Sequence, residues 1–148
     1  MIKIIKNGNL LDSDATAIVN TVNCIGASGK GIALEFKKKY PKETLIYKKA
    51  CQQDIVKTGR MFVVPIENNR WIINFPTKQH WRNESKLEWI KDGLDDLHTL
   101  LKNSKLESIA IPPLGCGLGK LDWNIVKPLI INKLSDLDTT VYLYEPLK

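Results

Sequence analysis

The sequence predicts an α/β domain with helices on both faces of a mixed sheet, and three observations carry that prediction. Short apolar runs of strand character alternate with segments of helical spacing along the whole chain. Two glycine-rich stretches, residues 26–31 and 115–119, each follow an apolar run and precede a helical pattern. A third apolar run, Trp71-Ile72-Ile73, leads into Asn74-Phe75-Pro76-Thr77-Lys78, placing Lys78 on a loop with His80, Trp81 and Arg82 just beyond it.

Taken in order, Ile2-Lys3-Ile4-Ile5 is a strand and residues 17–22 a second, buried one. After the first glycine stretch, Ile32, Ala33, Phe36 and Tyr40 recur at helical spacing up to Pro41, and a further helix is expected over residues 42–52. Residues 61–66 and 70–75 are neighbouring strands joined by the turn formers Glu67-Asn68-Asn69. Ser85, with Glu88 three residues on, is the capping-box start of a helix whose Leu87, Ile90, Leu94, Leu97 and Leu101 share one face. Trp89 and His98 fall off that stripe and read as structural residues. Residues 108–112 form another short strand, followed by the second glycine stretch and a helix from about Asp122 or Trp123. Pro128 requires either a first turn near residues 124–127 or a kink. Residues 140–144 close the sheet, and one domain over residues 1–148 is expected, with no linker, repeat or low-complexity tract.

A chain of 148 residues can bury about 70% of its unfolded surface, so no covalent staple is needed. Cys24, Cys51 and Cys116 are an odd set without a C-x-x-C pair, and His80 and His98 lie far apart, so neither a zinc site nor any other metal or cofactor is expected. With no export signal at the start and no apolar run approaching ~18 residues, a reducing cytoplasm is the expected location. Lysine and arginine exceed acidic residues by 22 to 16, a net charge of +6 that favours polyanions without naming one. Lys30, Lys37, Lys38, Lys39, Lys42, Lys48 and Lys49 cluster around two helices and read as a solvated face, since a nucleic-acid surface needs aromatic residues near the charge.

Ligands of an α/β sheet bind beyond the carboxyl ends of its strands, which directs attention to the three loops. Glycines let several backbone amides converge on a phosphate, and a helix opening behind each loop would add its own amides. Gly29-Lys30-Gly31 fits neither G-x-G-x-x-G nor the Walker pattern, and the absence of Gly-Lys-Ser/Thr argues against a nucleotide triphosphatase. Two such loops on one edge point to a diphosphate gripped from both sides; the alternative is ordinary turn glycines. Lys78, held at the third strand end, would act as a nucleophile or base if desolvated enough to be partly free amine. The alternative is a solvated ammonium titrating near ~10.4.

Five segments match a known family in order: Gly8-Asn9-Leu10-Leu11, residues 17–24, residues 29–36, residues 74–78 and residues 112–119. On them the chain resembles the macrodomains, which bind ADP-ribose. Within that family it is similar to the macrodomains of DarG-type antitoxins, which remove the ADP-ribose that a DarT-type toxin attaches to DNA bases. Lys78 followed by Trp81-Arg82 is the distinguishing piece. The resemblance implies a three-layer α/β/α sandwich with a central mixed β-sheet. It implies that Asn9 faces the adenine, Asn23 the distal ribose, Gly29, Lys30, Gly31 and Ile32 one side of the diphosphate, and Gly115, Cys116, Gly117, Leu118 and Gly119 the other. Gly8, Leu10, Thr21, Val22, Thr77, Pro113 and Leu114 complete the implied ADP-ribose-binding set.

By the same resemblance Lys78 is catalytic and His80, Trp81 and Arg82 are candidates for contacting DNA. Two departures bear on chemistry. Many macrodomains carry aspartate where this chain has Asn9, an amide that both donates and accepts. Lysine-dependent relatives outside the DarG group carry aspartate where this chain has Gly119, which leaves the acid/base role to the substrate or to Asp122. The implied mechanism is a transient covalent adduct between Lys78 and the distal ribose, released by water, with Lys78 as a base or electrostatic anchor the alternative. No carboxylate pair stands at the strand ends for a two-carboxylate glycosidase. The implied substrate is ADP-ribosylated thymidine in single-stranded DNA, the implied partner a DarT-type toxin, and the chain is expected to be a monomer. Two other classes remain open: a binding module without turnover, and a hydrolase acting on ADP-ribosylated protein, ADP-ribose 1″-phosphate or O-acetyl-ADP-ribose.

Overall fold

A computed structural model describes residues 1–147. Its elements are β1 (Ile2–Ile5), a 3-10 turn (Leu10–Asp12), β2 (Ala17–Asn23), α1 (Gly31–Lys39), α2 (Pro41–Gln52), β3 (Phe62–Ile66), β4 (Arg70–Lys78), α3 (Leu87–Ser104), β5 (Ser108–Ile111), α4 (Trp123–Leu134) and β6 (Thr140–Tyr144). They build one six-stranded sheet in the order β1-β6-β5-β2-β4-β3. Every neighbouring pair is parallel except the β3–β4 hairpin, so the sheet is mixed.

The period of two along each strand assigns the two faces. Ala17 and Val19 of β2, Ile73 and Phe75 of β4, Ile109 and Ile111 of β5, and Val141 and Leu143 of β6 point to one side. There they pack on Ile90, Leu94, Leu97 and Leu101 of α3 and Val126, Ile130 and Leu134 of α4. The alternate residues Ile18, Ile72 and Ala110 pack on Phe36 of α1 with Leu10 and Leu11, and Val22 packs on Tyr47 and Ala50 of α2. Burial on both sides is why the central strands read as near-continuous apolar runs. The result is the predicted three-layer α/β/α sandwich.

Local chemistry explains most boundaries. Pro41 takes the first position of α2, where its missing N–H costs nothing. In the three-residue β3–β4 connection Asn68 and Asn69 both adopt left-handed φ, +62° and +57°, which asparagine tolerates. Asp122 caps α4 by accepting from the Asn124 amide, and Pro128 stays inside that helix, which begins at Trp123.

Two sequence expectations are corrected. β4 continues through Asn74–Lys78, because parallel pairing with β2 runs on to Asn23 opposite Lys78; Lys78 is therefore the last strand residue and not a loop residue. The Ser85/Glu88 capping box does not form: α3 starts at Leu87 with Lys86 at its uncapped N-terminus. Ser85 is drawn instead beneath the second glycine loop, donating its amide to the Gly119 carbonyl at 3.0 Å. Trp89, off the apolar stripe, is nonetheless buried, while His98 pairs with Asp136 at 2.9 Å, so both are structural.

Candidate active site at the carboxyl edge of the sheet

β5, β2 and β4 are adjacent and parallel, so the loops that leave them emerge side by side at one edge. Between those loops lies a cavity of about 610 Å³. The sequence-derived candidates Thr21, Val22, Asn23, Gly29, Lys30, Gly31, Ile32, Thr77, Lys78, Trp81, Pro113, Gly115, Gly117, Leu118 and Gly119 line it. Ala27, Ala33 and Pro112, which the sequence reading does not single out for the site, line it too; each lies within or near a glycine run or beside Pro113 in sequence. Gly8, Asn9, Leu10, Leu114, Cys116, His80 and Arg82 are not in the wall. Asn9 starts the 3-10 turn, accepting from the Leu11 amide, and Leu10 and Leu114 are core residues.

The first glycine loop hangs from a single side chain. Buried Asn23 accepts from the amides of Ile25, Gly26 and Ala27 at 3.0–3.1 Å and donates its Nδ2 to the Ala27 carbonyl. The Tyr47 hydroxyl donates to the Asn23 carbonyl at 2.7 Å, tying this hub to α2. Past the loop, α1 opens without a side-chain cap and without an acidic residue in its first turn. Its leading amides, at Gly31, Ile32 and Ala33, belong to residues of the cavity wall, which is the arrangement that attracts anions.

The second loop is held by backbone. Cys116 N–H donates to Pro113 O, Lys120 N–H to Gly117 O and Leu121 N–H to Gly115 O. At Gly115 φ is +71°, and a Cβ at Gly119 would collide with Ser85 Oγ and the Gly115 carbonyl. That collision leaves no room for an aspartate side chain at 119 in this loop conformation. Asp122 is occupied as the cap of α4, and α4 does not reach the cavity, so only one of the two following helices presents its terminus to the site. Exposed Leu118 reaches across to within 3.4 Å of the point where a Gly31 Cβ would lie, so the two loops meet over the cavity.

A register shift between β2 and β4 skips Thr77 and sets Lys78 opposite Asn23. Lys78 Nζ donates to the Trp81 carbonyl at 3.4 Å. Burial pulls its pKa below the ordinary lysine value; the nearby Lys120 ammonium lowers it further and Glu84 opposes the shift. Among the described residues the wall holds no carboxylate, histidine or cysteine. Cys116, just behind it, is pushed up to about 11 by burial and the Asp122 charge, so it stays a thiol. No group of three or more His, Cys, Asp or Glu side chains that could hold a metal occurs among the described residues, and no helix there is long and apolar enough to cross a membrane.

An edge cavity walled by two glycine loops and one uncapped helix defines an α/β ligand-binding domain with anion-site geometry. Residues 19–130 match the Macro domain family, and the chain belongs to that family. It is 46% identical over 142 residues to the DNA ADP-ribosyl glycohydrolase of Mycobacterium tuberculosis, a match covering 92% of this chain and 40% of that protein. The solved macrodomain of Mycobacterium tuberculosis DarG superimposes with a TM-score of 0.95 at 45% identity, covering 99% of this chain and 98% of that one. Thermosipho africanus DarTG in complex with ADP-ribose superimposes with a TM-score of 0.92 at 31% identity, covering 99% of this chain and 42% of that one. The chain thus spans about 40% of the length of the curated glycohydrolases it matches.

Proposed function

We propose that this chain is the ADP-ribose-binding and catalytic part of a DNA ADP-ribosyl glycohydrolase, releasing ADP-ribose from thymidine in single-stranded DNA with Lys78 as nucleophile. The observation that carries the reading is the setting of Lys78: an amine fixed by a strand-end bulge opposite Asn23, in a wall that among the described residues offers no carboxylate, histidine or cysteine. The names of the relatives supply the DNA substrate, and the ADP-ribose complex of the Thermosipho protein supplies the ligand. In this reading the diphosphate lies between the α1 terminus and the second loop, the distal ribose beside Asn23 and Lys78, and the adenine toward Asn9. Trp81, with His80 and Arg82, stands beside the modified base, and the toxin that modifies the DNA is the implied partner.

Lys78 Nζ forms a bond to the anomeric carbon as the bond from that carbon to the base nitrogen breaks, and the base leaves with a proton. Opening of the ribose ring turns the adduct into an imine. Water then hydrolyses it to ADP-ribose and the free amine, so one water is consumed overall. The attacking amine must be unprotonated, and burial with the Lys120 charge favours that form. Turnover therefore falls as pH drops through the Lys78 pKa and levels off above it.

The test is Lys78→Ala, which is expected to abolish ADP-ribose release from a modified oligonucleotide. ADP-ribose affinity, measured by calorimetry with a chelator present, should stay within about 1.4 kcal/mol of wild type, a tenfold change. Wild-type turnover in the variant would remove Lys78 from the mechanism. Cleavage of ADP-ribosylated protein but not of the oligonucleotide would replace the substrate. A second reading, binding without turnover, is favoured by the Lys78 bond to the Trp81 carbonyl, which suits an ammonium; a wild-type chain that binds ADP-ribose and cleaves none of these substrates would establish it.

A further inference from the structure

If the cavity holds ADP-ribose, the DNA strand that carries it stays outside, and its flanking phosphates run across the mouth on both sides of the modified nucleoside. Two adjoining cationic segments border the mouth, joined where the Ser85 amide donates to the Gly119 carbonyl at 3.0 Å. One is the segment after β4: Trp81 is 47% exposed and part of the wall, the Arg82 guanidinium lies 4.8 Å from its ring centroid, and the His80 ring is 5.5 Å away. The other is the turn that ends the second glycine loop. Lys120 sits there in a left-handed conformation, φ +64°, closed by its amide donating to Gly117 O at 3.1 Å. A non-glycine residue at positive φ is uncommon, and this one carries an exposed cation to the mouth.

The Lys120 ammonium has a weak partner, Glu84 Oε1 at 3.8 Å, with both side chains 70% exposed. A pair that open to water contributes little, so a phosphate can take the place of the carboxylate. Leu118, 55% exposed beside Lys120, adds apolar surface against which a base can lie. The larger lysine cluster on α1 and α2 lacks these companions. Its exposed apolar residues are Leu45 and Ile46, its half-buried Tyr40 is covered by Lys39, and Lys39 is committed to the Leu11 carbonyl at 2.6 Å.

We infer that single-stranded DNA crosses the mouth over Arg82 and Lys120, that Lys120 holds a phosphate there, that Glu84 opposes this contact, and that the α1–α2 lysine face takes no part. The inference rests on the DNA reading above. Its test compares kcat/KM for a modified single-stranded oligonucleotide with that for modified thymidine lacking flanking phosphates. The ratio of the two cancels any change in the reactivity of Lys78. Lys120→Asn, which keeps a residue tolerant of left-handed φ, is expected to lower the ratio about fivefold at low salt. It should also make the logarithmic salt dependence of the oligonucleotide shallower by about 0.7, one single-strand phosphate contact. Glu84→Gln is expected to raise the ratio, and the pair Lys37→Ser with Lys38→Ser to leave it unchanged. An unchanged ratio in Lys120→Asn, or a drop in the α1 pair, overturns the proposed path while leaving the DNA reading standing. Failure of the wild-type chain to cleave either substrate overturns both.

Discussion

The two glycine loops look alike in sequence and are built on opposite plans. The loop after β2 depends on one buried amide side chain, Asn23, and ends in a helix whose first-turn N–H groups have no side-chain cap. The loop after β5 depends on backbone bonds and on the fit of Ser85 under Gly119, and the helix beyond it is already capped by Asp122. The comparison teaches that glycine content marks where amides are free to turn, not what they turn toward. One loop brings a helix terminus to the cavity; the other supplies a wall and, through Leu118, a contact across the top.

The largest effect is expected where the second loop is tightest. Gly119→Asp forces a side chain into Ser85 and a carboxylate into a buried position, and should cost on the order of 4 kcal/mol, read as a fall in the unfolding midpoint. A variant that keeps wild-type stability would show that this loop yields where the backbone bonds say it is stiff. Next comes the first loop: Asn23→Ala strips three amides of their acceptor and should cost about 2–3 kcal/mol. Hydrogen exchange should rise at residues 25–27 and stay unchanged at residues 116–121. Equal loss of protection in both loops would erase the distinction drawn between them.

The smallest effects separate glycines that need their freedom from those that do not. Gly31 has φ +60°, so Gly31→Ala should cost about 1 kcal/mol and weaken ADP-ribose binding by loosening the start of α1. At Gly117 an added Cβ would meet open space, with nothing within 4 Å, and φ is not left-handed, so Gly117→Ala should change stability by less than about 0.5 kcal/mol. Calorimetry on the pair reads both. If Gly117→Ala proves as damaging as Gly31→Ala, the second loop must change conformation when ligand enters.

Strand and helix placement was legible because periodicity is local. The short apolar runs of β2, β4 and β5 and the Leu/Ile stripe of α3 predicted those elements to within a few residues, and the five segments shared with macrodomains predicted the layered fold. Where the reading failed, a distant partner had outweighed a local preference. Ser85 carries the signature of a helix cap, yet Gly119, far along the chain, claims its amide. Asp122 is the converse case, where a local interaction prevails: its carboxylate accepts from the Asn124 amide two residues on and caps α4.

By itself the sequence determined the α/β class, the two turn-prone loops and the presence of a lysine at the third strand end, since these follow from side-chain periodicity and from the freedom glycine allows the backbone. Tertiary structure alone decided that the three strand ends are neighbours and that Thr77 is skipped so Lys78 faces Asn23. It also decided that Lys120 and Glu84 bring their charges to that amine. Those outcomes depend on strand order and register, which are chosen by the packing of whole faces and cannot be read from any one segment.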